Sequence, residues 1–269
     1  MGSLVTKAIG YALLAIAAAV AVLPILWTLI NSFKELHDII TPIPVFIFVP
    51  TLENYSTILG SSAVLNGLKN SVFVVFGSVF FGAILGIPAA YAIARSSLRA
   101  KAELQFFFLS MRFTPPVAIA VPLVVLYLQL NLYDSVTGLV LVYLVVSLAT
   151  IVWLSVPAFA RVPLEIEEAA RMDGCSSFVV MTRFAIPVAL PSLFGALVFT
   201  FVLLWNELLL ALILTAKNGT LPVVAAAITS LGKEVPWGVI NATTIILTVP
   251  PLLVVGLILR FIKINARAR

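Results

Sequence analysis

The sequence predicts an all-α membrane protein that crosses the bilayer six times, and three observations lead to that class. Of 269 residues, 62% are apolar and 10% are charged, with a mean hydropathy of +1.18. Soluble domains are usually about half apolar and about a quarter charged. The apolar residues gather into six runs of more than twenty residues. An α-helix rising about 1.5 Å per residue needs that length to cross a hydrocarbon core about 30 Å thick. The basic residues also fall unevenly between the two sides of these runs. A soluble enzyme of this composition would expose far more apolar surface than monomers tolerate. The single cysteine and single histidine exclude a disulfide scaffold and a zinc site, so no metal ligands are expected.

The spans are expected at Ala8–Ile30, Ser71–Ala94, Leu104–Leu128, Val136–Phe159, Val188–Leu214 and Val239–Leu259, in one transmembrane domain over residues 1–269. The first is too long for a signal peptide and lacks a cleavage site, so it reads as a retained anchor. The runs are continuous, not alternating, which disfavours a β-barrel. The third carries Arg112, but its fourteen Leu, Ile, Phe and Val residues contribute about −4 to −8 kcal/mol on the insertion scale against about +3 for one arginine. The fifth survives Glu207 by the same reasoning. Proline occurs within or beside the runs at Pro88, Pro115, Pro116, Pro122, Pro157, Pro250 and Pro251, where it either hinges a helix or kinks it for packing. Gly82 and Gly86 form a small-xxx-small face.

Six spans put both termini on one side, with the loops after spans two and four. That side holds 11 of the 16 basic residues, Arg95, Arg99, Lys101, Arg161, Arg171 and Arg183 among them. Lys34, Lys69, Lys217 and Lys233 lie on the other. The asymmetry places both termini in the cytoplasm of a multi-pass protein in the cell membrane. The net charge of +5 is then a topology signal and gives no reason to invoke nucleic acid. Residues 31–70 are external, and residues 160–187 form a long cytoplasmic loop.

That loop predicts a helix–turn–helix. Pro163 suits the first position of a helix, and Glu165, Glu167 and Glu168 favour its positive end. Ala169 and Ala170 keep one surface flat for a close approach. Gly174 ends the helix, Asp173 supplies helix-end chemistry or a partner contact, and Ser176 or Ser177 caps a second helix that runs to an interruption at Pro187. The hairpin is either a surface-lying amphipathic connector or a docking knob; its paired acids and central small residues fit the knob, because lipid-facing ribbons favour Lys, Arg, Trp and Leu.

The order Glu168-Ala169-Ala170, three residues, Gly174, nine residues, Phe184-x-Ile186-Pro187 resembles the EAA loop of ABC importer permeases. The longer EEAARMDG resembles their carbohydrate-uptake branch, the MalG-like permeases. Further matches are PTLENY (Pro50–Tyr55), Lys69-Asn70-Ser71, RFTPPVAIAVPL (Arg112–Leu123) and LWNELLLAL (Leu204–Leu212). The basic IKINARAR tail (Ile262–Arg269) departs from the small, Gly-rich tail common in that branch. The resemblance implies the six-helix MetI/MalG-like permease fold with a cytoplasmic EAA coupling helix. It implies as partners a second permease subunit, a dimer of ATP-binding subunits that carry the ATP and Mg, an extracytoplasmic substrate-binding protein and membrane lipid. Glu168 would meet a basic residue of the ATPase, Ala169 and Ala170 would seat the helix closely, and Gly174 would make the turn.

No GxxxxGK[ST] phosphate loop occurs, so ATP hydrolysis belongs to another subunit. His37 and Cys175 make no nucleophile–base pair, and the chain itself is expected to be non-catalytic. Polar groups within spans are functional candidates: Trp205, Asn206, Glu207 and Arg112 could line a solute path, or bind neighbouring helices. Counted from the inner ends of their spans, Arg112 and Glu207 differ in depth by about 15 Å, so they are not expected to pair directly. The expected function is the permease subunit of an ABC importer for a sugar. The alternatives are a same-fold permease for another solute, such as glycerol 3-phosphate or an oligopeptide, and, further away, a stand-alone channel or a membrane enzyme.

Overall fold

Four of the six expected spans form as single apolar helices, and two are broken. The computed structural model describes residues 2–96, 99–228 and 235–267, except for the side chains of 2–5, 112, 259 and 261–267. Lys233, Arg269 and the side chains of Arg112, Lys263 and Arg267 therefore lie outside the described residues. Among those described, every regular element is a helix.

The unbroken spans are α1 (Gly2–Asn31), α4 (Ser62–Arg95), α7 (Val136–Ala160) and α13 (Trp237–Arg267). Short helices α2 (Leu36–Ile40) and α3 (Glu53–Gly60) fill the segment between α1 and α4. α4 starts nine residues before the expected Ser71, because Ser62–Asn70 continues the helix beyond the apolar run.

The third span divides into α5 (Lys101–Phe113) and α6 (Pro116–Gln129), bent by 80°. The cause is local. Pro115 disfavours the helical backbone at Thr114, which is extended (φ −66°, ψ 116°), and Pro116 opens a new helix at its first turn. Neither piece, at about 20 Å, reaches across the hydrocarbon core alone.

The fifth span departs from expectation at both ends. Pro187 does not interrupt it: α9 (Ser177–Val179), a π-helical turn (Val180–Ala185) and α10 (Ile186–Trp205) run on continuously. The Ile186 N–H donates to Met181 five residues back. This widened turn makes room for the proline ring, whose missing donor falls where the hydrogen-bond register changes. The true break is at residues 206–208, after which α11 (Leu209–Leu214) begins. α12 (Leu221–Ile228) follows.

The chain clusters into two compact units. In one (residues 1–65 and 224–249), Asn54 and Tyr55 organise the turn after α1. The Asn54 amide donates to the carbonyls of Ser32 (3.0 Å) and Lys34 (2.9 Å), and Tyr55 shares a 2.8 Å hydrogen bond with Ser32. The PTLENY motif therefore has a local structural role. In the other unit (residues 66–223 and 250–269), α4, α7 and α10 share a core of Ala90, Tyr91, Val152, Val156, Phe159, Ala185, Ala189 and Leu193, with α5 packed against α7.

Gly82 and Gly86 let α4 approach α7 closely: a Cβ at Gly82 would collide with Ser147, and one at Gly86 would come within 3.0 Å of Ile151. Gly82→Ala is expected to destabilise this interface by about 1–3 kcal/mol, the usual range for overpacking. Gly195→Ala, facing open space, should not. Thermal unfolding of the two variants in detergent checks the difference.

Candidate functional site

The hairpin between α7 and α10 is built as its residues dictate. Pro163 (φ −57°, ψ 130°) stands one position earlier than expected, as the residue preceding α8 (Leu164–Met172). Gly174 adopts φ +81°, which only glycine enters without strain. Around it the Gly174 N–H donates to Arg171 and the Cys175 N–H to Ala170, both at 3.0 Å. Those two bonds form a Schellman ending that satisfies α8's last carbonyls. Ser176, not Ser177, caps the next helix by accepting from the Val179 N–H.

The hairpin has two unlike faces. Glu167 points into the protein and is 1% exposed. Its Oε1 accepts from Arg95 Nη2 (2.6 Å) and Nε (2.9 Å), and its Oε2 from the Tyr91 hydroxyl (2.8 Å). Arg95 Nη2 also donates to the Val162 carbonyl at 3.0 Å, tying the turn after α7 into the same cluster. Exposed Arg171, 3.8 Å from Glu167, adds little. Ala170 is buried beside Glu167, so its small side chain seats against this chain's own elements and not an outside backbone. Glu165, Glu168, Ala169, Met172 (88% exposed), Asp173 and Phe178 face outward.

The second feature is the broken fifth span. Such a break frees carbonyls on one side and N–H groups on the other, which in hydrocarbon need partners. Asn206 and Glu207 supply them. The Asn206 amide donates to the Val202 carbonyl (2.8 Å), and the Glu207 carboxylate accepts from the Leu210 N–H (3.0 and 3.1 Å) at the start of α11. The fully buried Tyr143 of α7 donates to Glu207 Oε2 at 2.7 Å. Glu207 is thus a helix cap held by a phenol. Trp205, expected either to offer a ring to a solute or to bind a neighbouring helix, is 1% exposed and stacks on Phe201 at 5.7 Å. Asn206 is exposed.

The far end of α11 is held by Asp134, between α6 and α7. Its N–H donates to the Leu214 carbonyl (2.9 Å), and its Oδ1 accepts from three successive N–H groups: Ala216 (2.9 Å), Lys217 (2.9 Å) and Asn218 (2.8 Å). Partial desolvation alone would raise its pKa. The donors from Asn218, Lys217 and Ala216, with the Lys217 charge, outweigh it and hold the carboxyl below its ordinary value. Asn70 donates to the Asn218 and Gly219 carbonyls (3.1 Å each), and Ser71 accepts from the Leu221 N–H (2.8 Å). The Lys69-Asn70-Ser71 motif therefore anchors the loop after α11.

Sequence reasoning missed Tyr91, Arg95, Tyr143 and Asp134 as members of these clusters. Tyr91 and Arg95, four residues apart on the last turn of an apolar helix, carried the one usable signal.

These features define a class: a multi-pass helical membrane protein with several membrane-length helices, one of its spans a bent pair, and a hairpin anchored to its own helices, the architecture of a transporter's membrane subunit. The chain belongs to the binding-protein-dependent transport system inner membrane component family, a model of which matches residues 78–263. It is 33% identical over 230 residues to the sulfoquinovosyl glycerol transport system permease protein SmoH of Agrobacterium fabrum, covering 84% of this chain and 80% of that protein. It is 31% identical over 252 residues to the trehalose transport system permease protein SugB of Mycobacterium tuberculosis, covering 91% and 87%. Its fold matches a chain of the crystal structure of a bacterial ABC transporter involved in the import of the acidic polysaccharide alginate, with TM-score 0.78 and 20% identity over 97% of this chain and 98% of that chain.

Two predictions arise here. Glu167→Ala leaves the Arg95 guanidinium largely buried without its partner and is expected to destabilise the protein by about 3–5 kcal/mol, whereas the apolar pair Glu167→Leu with Arg95→Leu should recover much of that loss. Thermal unfolding of the single and double variants tests it. Asp134 has a depressed pKa, so its contribution is present above the unfolded value and lost as pH falls through the folded one. Asp134→Ala should therefore cost about 1–2 kcal/mol at neutral pH, and that difference should shrink below about pH 4, where an ordinary aspartate protonates. Unfolding at a series of pH values measures it.

Proposed function

We propose that this chain is the permease subunit of an ATP-driven ABC importer for a sugar or glycoside, with the hairpin on the cytoplasmic side as the seat of a separate ATP-binding subunit. The observation that carries the reading is the division of the hairpin's surface. One face is locked to α4 through Glu167, Arg95 and Tyr91, while Glu168, Ala169 and Asp173 remain exposed. A joint that transmits rigid-body motion requires one firm attachment and one surface left for the driver. The excess of basic residues on the hairpin's side of the spans supports the cytoplasmic orientation.

In this account ATP and Mg reside on a dimer of partner subunits, and this chain contributes no catalytic group. A second permease chain completes the path, and an external binding protein delivers the solute. Closing of the ATPase dimer pushes α8, and Glu167 carries that displacement into α4. Two of the relatives are named for transport of trehalose and sulfoquinovosyl glycerol, which supports a glycoside as cargo. Asn206, exposed at the break, is this chain's candidate for contact with a hydroxyl; Trp205 is closed off from that role in this conformation.

Glu168→Lys reverses a charge on the exposed face and is expected to abolish sugar uptake by the assembled transporter while membrane insertion stays normal. Uptake of labelled sugar by membranes containing equal amounts of each variant checks this. Wild-type uptake would remove Glu168 from the coupling surface.

A further inference from the structure

Residues 41–50, TPIPVFIFVP, belong to no helix and take no part in the coupling account. They present Ile43, Phe46, Ile47 and Val49 as exposed side chains, Ile47 at 95%. Contacts within the same unit fix where this segment lies. The Phe46 ring packs edge-on against Trp27, with centroids 6.1 Å apart. The buried Lys34 ammonium lies 5.1 Å from the ring centroids of both Trp27 and Phe48; cation–π attraction strengthens when the cation is desolvated. The Thr51 N–H donates to the Phe33 carbonyl at 2.8 Å. The chain therefore leaves α1, turns, and returns alongside α1's own last turns.

The depth of that return follows from helix length. The apolar stretch of α1, Thr6–Asn31, has 26 residues, about 39 Å of helix, against a core of about 30 Å. Trp27, about 6 Å before Asn31, falls at the hydrocarbon edge, the level at which tryptophan is enriched. A backbone without regular structure cannot lie deeper than that boundary. Pro42, Pro44 and Pro50 remove three of its amide donors.

We propose that residues 41–50 form an interfacial anchor, inserting Ile43, Phe46, Ile47 and Val49 into the headgroup–acyl boundary of the leaflet at the Asn31 end of α1. Lipid is the favoured occupant because the segment lies beside Trp27, at the level of the hydrocarbon edge, and continues the apolar surface of α1. Its exposed side chains are also apolar except for Thr41, whose hydroxyl is turned onto the Asp38 and Ile43 carbonyls, and they offer no polar pattern to give a protein partner a register.

A nitroxide at Ile47→Cys, in a Cys175→Ser background, tests this in the assembled transporter within vesicles of phosphatidylcholine and phosphatidylglycerol. Collision with oxygen should exceed collision with a water-soluble nickel chelate severalfold, and a label at Val49→Cys should behave alike, while one at Glu53→Cys shows the reverse. Nickel exceeding oxygen at Ile47 would place the loop in water, and low collision with both would mean that a protein subunit covers it. Either result overturns the proposal.

Discussion

Glu167, itself buried, accepts hydrogen bonds from the largely buried Arg95 and from Tyr91, and the placement of the hairpin follows from that contact. A buried carboxylate separated from its cation costs several kcal/mol, so α8 cannot tilt away from α4 without a large penalty. Because the same guanidinium also holds the Val162 carbonyl, α4, the end of α7 and the start of α8 share one polar cluster. The Schellman ending at Gly174 and the cap at Ser176 then fix the path of the chain into the fifth span. A displacement applied to the exposed face of α8 has a direct route into the helices behind it.

The fifth span shows a different use of polar groups. Most of it, from Ser177 to Trp205, is a continuous rod widened by one π-helical turn, but α11 is a six-residue piece held at its two ends. Glu207 and Tyr143 hold its start, and Asp134 its finish. Asn206 and Glu207 answer the backbone groups that the break exposes. Between those ends Leu210, Ala211 and Leu214 are buried, and α11 packs against α6 and α7. Discontinuous helices at membrane depth are where transporter solute sites commonly form.

The sequence was informative where a physical rule is one-dimensional. Apolar length marked where the spans run, and helix-terminus chemistry placed Gly174 and narrowed the next cap to Ser176 or Ser177. Small residues marked Gly82 and Gly86 as a face of close approach, though not Ser147 as what meets it. It was less informative where the outcome depends on a partner distant in the chain. Glu167 and Glu168 are adjacent acids on one helix, and only the fold shows that Tyr91 and Arg95 bury the first and leave the second exposed. The fifth span looked continuous because LWNELLLAL is apolar on both sides of Asn206-Glu207; that two polar residues cap two helix ends is visible only once Tyr143 stands opposite. In the sequence Pro187 reads as a break, because nothing there announces the π-helical turn upstream that accommodates its ring. In sequence Trp205 suits a solute path or a helix contact equally, and its burial against Phe201 closes the first.

The rigidity of the joint between α8 and α4 can be measured directly. Spin labels at exposed Met172 and exposed Ala92, read by pulsed dipolar spectroscopy in the assembled transporter, report the separation of hairpin and helix without nucleotide and in a vanadate-trapped state. The account predicts one unchanged, narrow distance in both states, while a label pair between Met172 and the proposed second permease subunit shifts. A Met172–Ala92 distance that changes with nucleotide would show that the hairpin moves independently of α4, and would contradict the coupling route through Glu167.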